Sequence, residues 1–147
     1  MAGFKGQASY SVDAKGRVAI PAKMRNALNP EAKGIFTATR GLEQCIFLYP
    51  YDRWEEMEAE IGAKSNYDRE ARAFTRRIMM WAEEVTLDGQ GRIVLPKALS
   101  EFAGVEDRAL ILGAYDRLEI WNPDVFEEYL NEETTDYETL AERVMGV

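Results

Sequence analysis

The sequence predicts an α+β protein, mainly β, in which two tandem repeats fold into one pseudo-symmetric unit with flanking helices. Three observations carry this prediction. DAKGRVAIP, beginning at Asp13, returns at an offset of 75 as DGQGRIVLP, beginning at Asp88. Asp13, Gly16, Arg17 and Pro21 recur as Asp88, Gly91, Arg92 and Pro96, while Val18, Ala19 and Ile20 recur as the apolar Ile93, Val94 and Leu95. A second block, IFLYPYDRW from Ile46, matches LEIWNPDVF from Leu118 at an offset of 72, so the first copy holds three extra residues between its blocks. Each copy is under fifty residues, too short to bury a good core alone, which predicts a core shared by the two.

Along each copy the elements follow from local pattern. Ala8, Tyr10 and Val12 alternate with Gln7, Ser9 and Ser11, and Val18 and Ile20 alternate with Arg17 and Ala19. A period of two reads as strand, turn, strand. Gly16 and Gly91 sit where each turn needs a positive φ. The same alternation points Asp13 and Arg17 outward across the base of the first turn, and Asp88 and Arg92 outward across the second. Pro21 and Pro96 suit the first turn of short helices, AKMRNAL and KALSEFA, the second ended by Gly104. Strands FTATR and CIFLY follow in copy one, ALILGA and RLEIW in copy two.

Helices are expected over Asp52 to Ile61 and over Pro123 to Leu130, the latter capped by Asn122. Between the copies, residues 65–84 fit an amphipathic helix with a capping-box-like start at Ser65 and Asp68. Its packing stripe is Ala71, Phe74, Ile78 and Trp81. The acidic end of the chain is expected to be peripheral or loosely ordered. The implied organisation is a first module over 7–54, a linking helical region over 55–82, a second module over 83–126 and an acidic C-terminal helix or tail over 127–147.

Composition removes several classes of function. The chain has 147 residues, 46% hydrophobic and 11% aromatic, enough to fill a core. It has no run of eighteen apolar residues and no signal-peptide pattern at its start, which predicts a cytoplasmic protein with no membrane partner. There is no histidine, and the single Cys45 lies in the apolar run CIFLY, where a buried thiol is expected. The usual transition-metal ligands and the usual neutral-pH base are therefore missing, and no cofactor is expected. Glu127/Glu128 and Glu132/Glu133 read as a solvated helix face, since nothing apolar nearby would raise one carboxyl as a general acid. Gly89-Gln90-Gly91 lacks the third glycine of a dinucleotide loop. These features argue against an enzyme.

The net charge of −8 is unevenly spread. Residues 1–40 carry seven Lys/Arg against two acids, and residues 101–147 carry three against thirteen. The N-terminal quarter can face an anion; the tail cannot. Arg17 on a rigid turn, with Lys15 beside it and Lys23 and Arg25 on the next element, presents donors suited to guanine edges and phosphates, and a two-stranded ribbon fits a major groove. A purely structural reading exists, in which Asp13–Arg17 and Asp88–Arg92 are cross-strand ion pairs copied by duplication. An exposed pair of that kind contributes only about 0–1 kcal/mol. The aspartates can also serve both roles, holding each guanidinium ready to dock. Copy two has Gln90 in place of Lys15 and keeps only Arg92 and Lys97 nearby, which makes the first copy the expected primary contact.

SVDAKGRVAIPAKMRNAL and TLDGQGRIVLPKALSEFAG, each with an Asp-x-x-x-Arg element, together with the LYPYDRW and LEIWNP blocks, closely resemble the MraZ family, bacterial proteins with two tandem SpoVT/AbrB-like modules. That resemblance covers nearly the whole chain. It implies a swapped-hairpin, AbrB-like barrel with both halves supplied by one chain. It also implies a ring-shaped homo-oligomer that binds short direct repeats in double-stranded DNA upstream of its own division and cell-wall operon, usually as a repressor, in association with the nucleoid. By matched position it makes Asp13, Arg17, Asp88 and Arg92 the DNA-binding elements, with Lys15 at a commonly basic place. The rival reading is an oligomeric protein-interaction scaffold or antitoxin-like module using Tyr49, Trp54, Trp121 and the acidic tail.

Overall fold

The computed structural model describes residues 3–64 and 66–146. Copy one comprises β1 (Gln7–Ser11), the turn at Gly16, β2 (Arg17–Ala19), the short helix α1 (Ala22–Asn26), β3 (Ile35–Arg40), β4 (Ile46–Pro50) and α2 (Tyr51–Gly62). The helix α3 (Arg69–Trp81) leads into copy two: β5 (Glu83–Thr86), β6 (Arg92–Val94), α4 (Lys97–Ala103), β7 (Arg108–Gly113), β8 (Leu118–Trp121) and α5 (Pro123–Glu132). A last helix, α6 (Tyr137–Met145), follows. The class is α+β as expected, but not mainly β, because helix accounts for 41% and strand for 27%. The repeated turn blocks use very short strands, while the linker and the C-terminal segments are helical.

The strands form a six-stranded antiparallel sheet, in the order β1-β7-β8-β4-β3-β5, and a separate two-stranded ribbon of β2 and β6. β1 and β5 are open edges, so the described strands do not close into the expected barrel. Strand pairing also departs from the simple hairpin. The strands flanking each glycine turn do not pair with each other: β1 pairs with β7, β5 with β3, and β2 with β6. Each of those partners belongs to the other copy. Period-two alternation states which face a side chain takes, not which strand lies beside it. Only the turn itself closes locally, with the Asp13 amide donating to the Arg17 carbonyl at 3.1 Å and the Gly16 amide to the Asp13 carbonyl at 2.9 Å.

This exchange produces the shared core. Ile46 of β4 faces Ile120 of β8 in register. On that face of the sheet Phe36, Leu48, Ile111 and Leu118 pack with Val18 and Ile93 from the ribbon and Leu99 from α4, all essentially inaccessible. The opposite face carries Phe47, Tyr49, Leu110 and Trp121, packed with Trp54 of α2, Ile78 of α3 and partly buried Val125 and Phe126 of α5. Cys45 lies in this second cluster, where burial pushes its thiol well above the ordinary range. Glu119, 8% exposed, is satisfied there by the Arg117 guanidinium at 2.7 Å and the Trp121 indole N–H at 3.0 Å.

The linker differs from expectation at both ends. α3 starts at Arg69, where the Asp68 carboxylate accepts the Glu70 amide at 3.0 Å; Ser65 lies outside the described residues. It stops at Trp81 because Ala82 is extended and Glu83 and Glu84 enter β5 against β3. Sheet pairing there overrides the helix preference of Ala-Glu-Glu. Within the stripe Ile78 is buried and Trp81 packs on Phe102 at 5.7 Å, but Phe74 remains 47% exposed. The acidic end is peripheral, with no buried residue in α6, but ordered: Asp136 caps α6 by accepting the Thr139 amide at 2.8 Å, and Gly146 ends it in the left-handed region. No helix among the described residues is long and apolar enough to cross a membrane.

Candidate nucleic-acid interface

The two repeated turns are the same device built twice. In the first, Asp13 Oδ1 accepts the amides of Lys15 at 3.0 Å and Arg17 at 2.9 Å, which fixes the loop, and Oδ2 accepts Arg17 Nε at 2.7 Å. In the second, Asp88 Oδ1 accepts the amides of Gln90 at 2.8 Å and Arg92 at 3.0 Å, and Oδ2 accepts Arg92 Nε at 3.1 Å. Each arginine is therefore held through Nε, which leaves its two terminal amino groups outside the pair. The Arg17 amide bond is the largest influence holding the Asp13 carboxyl below its usual value, and the Arg92 amide does the same for Asp88. Folded-state pKa values depressed in this way favour the fold above the ordinary carboxylate range. That support is lost as pH falls through the depressed values.

The ribbon fixes where the arginines point. Arg17 lies opposite Val94, Val18 opposite Ile93, and Ala19 opposite Arg92. Val18 and Ile93 are both 1% exposed and face the core, so Arg17, Ala19, Arg92 and Val94 occupy the outer face. Arg17 and Arg92 are diagonal neighbours there, about 7–8 Å apart at the backbone. The two copies thus contribute one cation each to a single surface.

The other predicted cations are divided by the fold. Lys15 is exposed within the first turn. Arg25 donates from Nε to the Ile20 carbonyl at 3.0 Å, and its guanidinium covers Gly91: a Cβ there would lie 2.7 Å from Arg25 Cζ and Nε. A copy-one arginine therefore sits on the copy-two turn, offsetting the Lys15-to-Gln90 change that made copy two look poorer. The sequence offered no direct signal for this contact, because it runs between copies; Ser100 at the matched position of copy two shows only that the arginine is single. Lys23 is not part of this face. Its Nζ comes 3.9 Å from where a Cβ on Gly6 would lie, at the end of β1 remote from Asp13.

Gly16 and Gly91 have φ of 79° and 74°, so alanine at either costs about 1–2 kcal/mol of conformational strain. Only at Gly91 must a cation also move. Gly91→Ala is expected to weaken duplex binding more than Gly16→Ala at similar thermal stability, and the excess is expected to vanish in an Arg25→Ala background, measured as a double-mutant cycle.

Nothing at this surface resembles a metal centre, and among the described residues no group of three or more His, Cys, Asp or Glu could hold an ion. A family model described as "MraZ protein, putative antitoxin-like" matches residues 4–77 and again 78–147, the two matches meeting within α3. The chain is 39% identical over 141 residues to a protein of Acetivibrio thermocellus named transcriptional regulator MraZ, covering 96% of each chain. A protein of the same name from Thermoanaerobacter sp. is 40% identical over 139 residues, covering 95% of this chain and 94% of the relative. One from Syntrophomonas wolfei is 38% identical over 144 residues, covering 98% of each.

Proposed function

The chain belongs to the MraZ family, and on that premise we propose that it is a sequence-specific, DNA-binding transcriptional regulator. The observation that carries this reading is the pair of aspartate-held arginines, Arg17 and Arg92, on one outer face of the β2–β6 ribbon. A two-stranded ribbon of this kind enters a major groove, and arginine is suited to reading guanine O6 and N7 with two donors. Lys15 beside Arg17, and Arg25 beside the second turn, supply phosphate contacts that set register. The exchange of strands between copies supports a swapped-hairpin relationship between modules at 7–54 and 83–126, with 55–82 linking them and 127–147 as an acidic appendage.

The remaining parts of the proposal concern assembly and target. A chain carrying −8 overall with a small basic face binds weakly as one copy. Several copies in a ring, each presenting its ribbon to one of a series of short direct repeats, gain effective concentration without new contacts. The target is the promoter of the chain's own division and cell-wall operon, which it represses from a place on the nucleoid in the cytoplasm. The protein-interaction reading loses the side chains it leaned on, since Tyr49, Trp54 and Trp121 are buried at 5%, 5% and 2% exposure.

Salt dependence tests the reading. Each phosphate contact adds about −0.9 to the slope of log K against log salt, so Lys15 and Arg25 alone predict a slope of about −2 per copy. A flat response would remove DNA as the partner.

A further inference from the structure

The register of the β2–β6 ribbon is symmetric about the Val18 and Ile93 pair: Arg17 opposite Val94 is the image of Arg92 opposite Ala19. The cations are matched across this pseudo-two-fold, since Lys15 lies beside one arginine and Arg25 beside the other turn. The apolar members are not matched. Val94 is 53% exposed on the outer face, whereas its counterpart Ala19 is half-buried and ends at Cβ. A Cβ on Gly16 would lie 3.9 Å from Val94 Cγ1, so this copy-two valine reaches the first turn, next to Arg17.

A branched apolar side chain held open beside an arginine has a specific partner in a major groove. Thymine is the base that displays an apolar group there, its C5-methyl, and apolar side chains read it by contact. Residues directly opposite in an antiparallel pair stand about 4.5–5.5 Å apart at Cβ, and successive base pairs are about 3.4 Å apart. Arg17 and Val94 therefore span one base-pair step or slightly more. Val94 also shares a hollow with Glu83, Glu84 and Pro96, and carboxylates at that place disfavour phosphate and leave Val94 to a base edge.

We propose that Val94 is a specificity-determining residue, packing on the C5-methyl of a thymine one step from the guanine that Arg17 reads. This rests on the DNA-binding reading and adds a direction to it. A ribbon with two equivalent arms matches a site of the same two-fold symmetry, equally well both ways round. The longer apolar arm at Val94, against the short Ala19, gives the bound element two unequal ends, which a direct repeat requires.

Uracil differs from thymine only in lacking that methyl group. Fluorescence anisotropy tests the assignment with wild type and Val94→Ala on the upstream duplex, on versions with uracil in place of one thymine position throughout the repeats, and on a scrambled duplex. Val94 is exposed, and thermal melting checks that the variant folds. Wild type is expected to lose about fourfold in affinity for each engaged repeat, the worth of one methyl group withdrawn from water, at one thymine position only. Val94→Ala is expected to show the same loss on the thymine duplex and no further loss with uracil. If uracil leaves wild type unaffected while its preference over the scrambled duplex persists, the Val94 contact is overturned and DNA recognition stands. A methyl effect that persists in Val94→Ala would overturn the assignment by placing the reader elsewhere. Equal losses at thymines on both sides of the guanine would overturn the direction. A wild type with no preference for the upstream duplex would overturn the DNA-binding reading itself, and Val94's role with it.

Discussion

Arg17→Ala and Arg92→Ala are each expected to weaken binding to the chain's own upstream duplex by about 1–3 kcal/mol, roughly 5- to 150-fold, with losses of similar size. The copies looked unequal in sequence, but the fold gives the turns similar surroundings. Lys15 accompanies Arg17, and Arg25 lies across Gly91, the residue before Arg92. The aspartates separate positioning from bulk charge. Asp13→Asn keeps an oxygen for the Lys15 and Arg17 amides and can lose the carboxylate that holds Arg17 Nε. It also removes a negative charge from the face. If attraction to phosphate were all that mattered, it would tighten binding; because the guanidinium is preorganised, weaker binding is expected.

Ile120→Ala is expected to destabilise the whole chain by about 2–5 kcal/mol, lowering Tm by roughly 5–20 °C. Ile120 is fully buried on β8, in register with Ile46 of the other copy on β4, and belongs to the cluster that also holds Val18 and Ile93. A core shared in this way predicts one transition. Far-ultraviolet dichroism and tryptophan fluorescence are expected to report the same midpoint in wild type and variant, and two separated transitions would mean that the copies fold as independent units.

Local features of the fold were legible because they depend on neighbours in sequence. Gly16 and Gly91 adopt the positive φ that their turns require, Asn122 caps α5, and Gly104 ends α4 in the left-handed region. The outward placement of Asp13, Arg17, Asp88 and Arg92 followed from alternation alone. What alternation does not encode is the identity of the neighbouring strand. The β1–β7, β2–β6 and β3–β5 pairings, the open sheet, and the seat of Arg25 on Gly91 are contacts between copies, decided by burial of a common core. Lys23, adjacent to Arg25 in sequence, was assigned to the turn for its charge, yet its Nζ lies near Gly6. Ala82 ended the helix, and Glu83 and Glu84 became part of a sheet edge because β3 offered an unpaired flank. The order of α6 rests on a local cap at Asp136, a signal present in the sequence but outweighed there by the density of acids.

The most direct test is a fluorescence-anisotropy titration of the wild-type protein against a duplex of its own upstream region and a scrambled duplex of the same composition, at one salt concentration, beside the Arg17→Ala, Arg92→Ala double variant. The account predicts tighter binding to the upstream duplex by about 10³-fold, and loss of that preference in a double variant that remains folded. Equal binding of the two duplexes by the wild type, unchanged in the variant, would contradict it and leave the repeated turns as architecture alone.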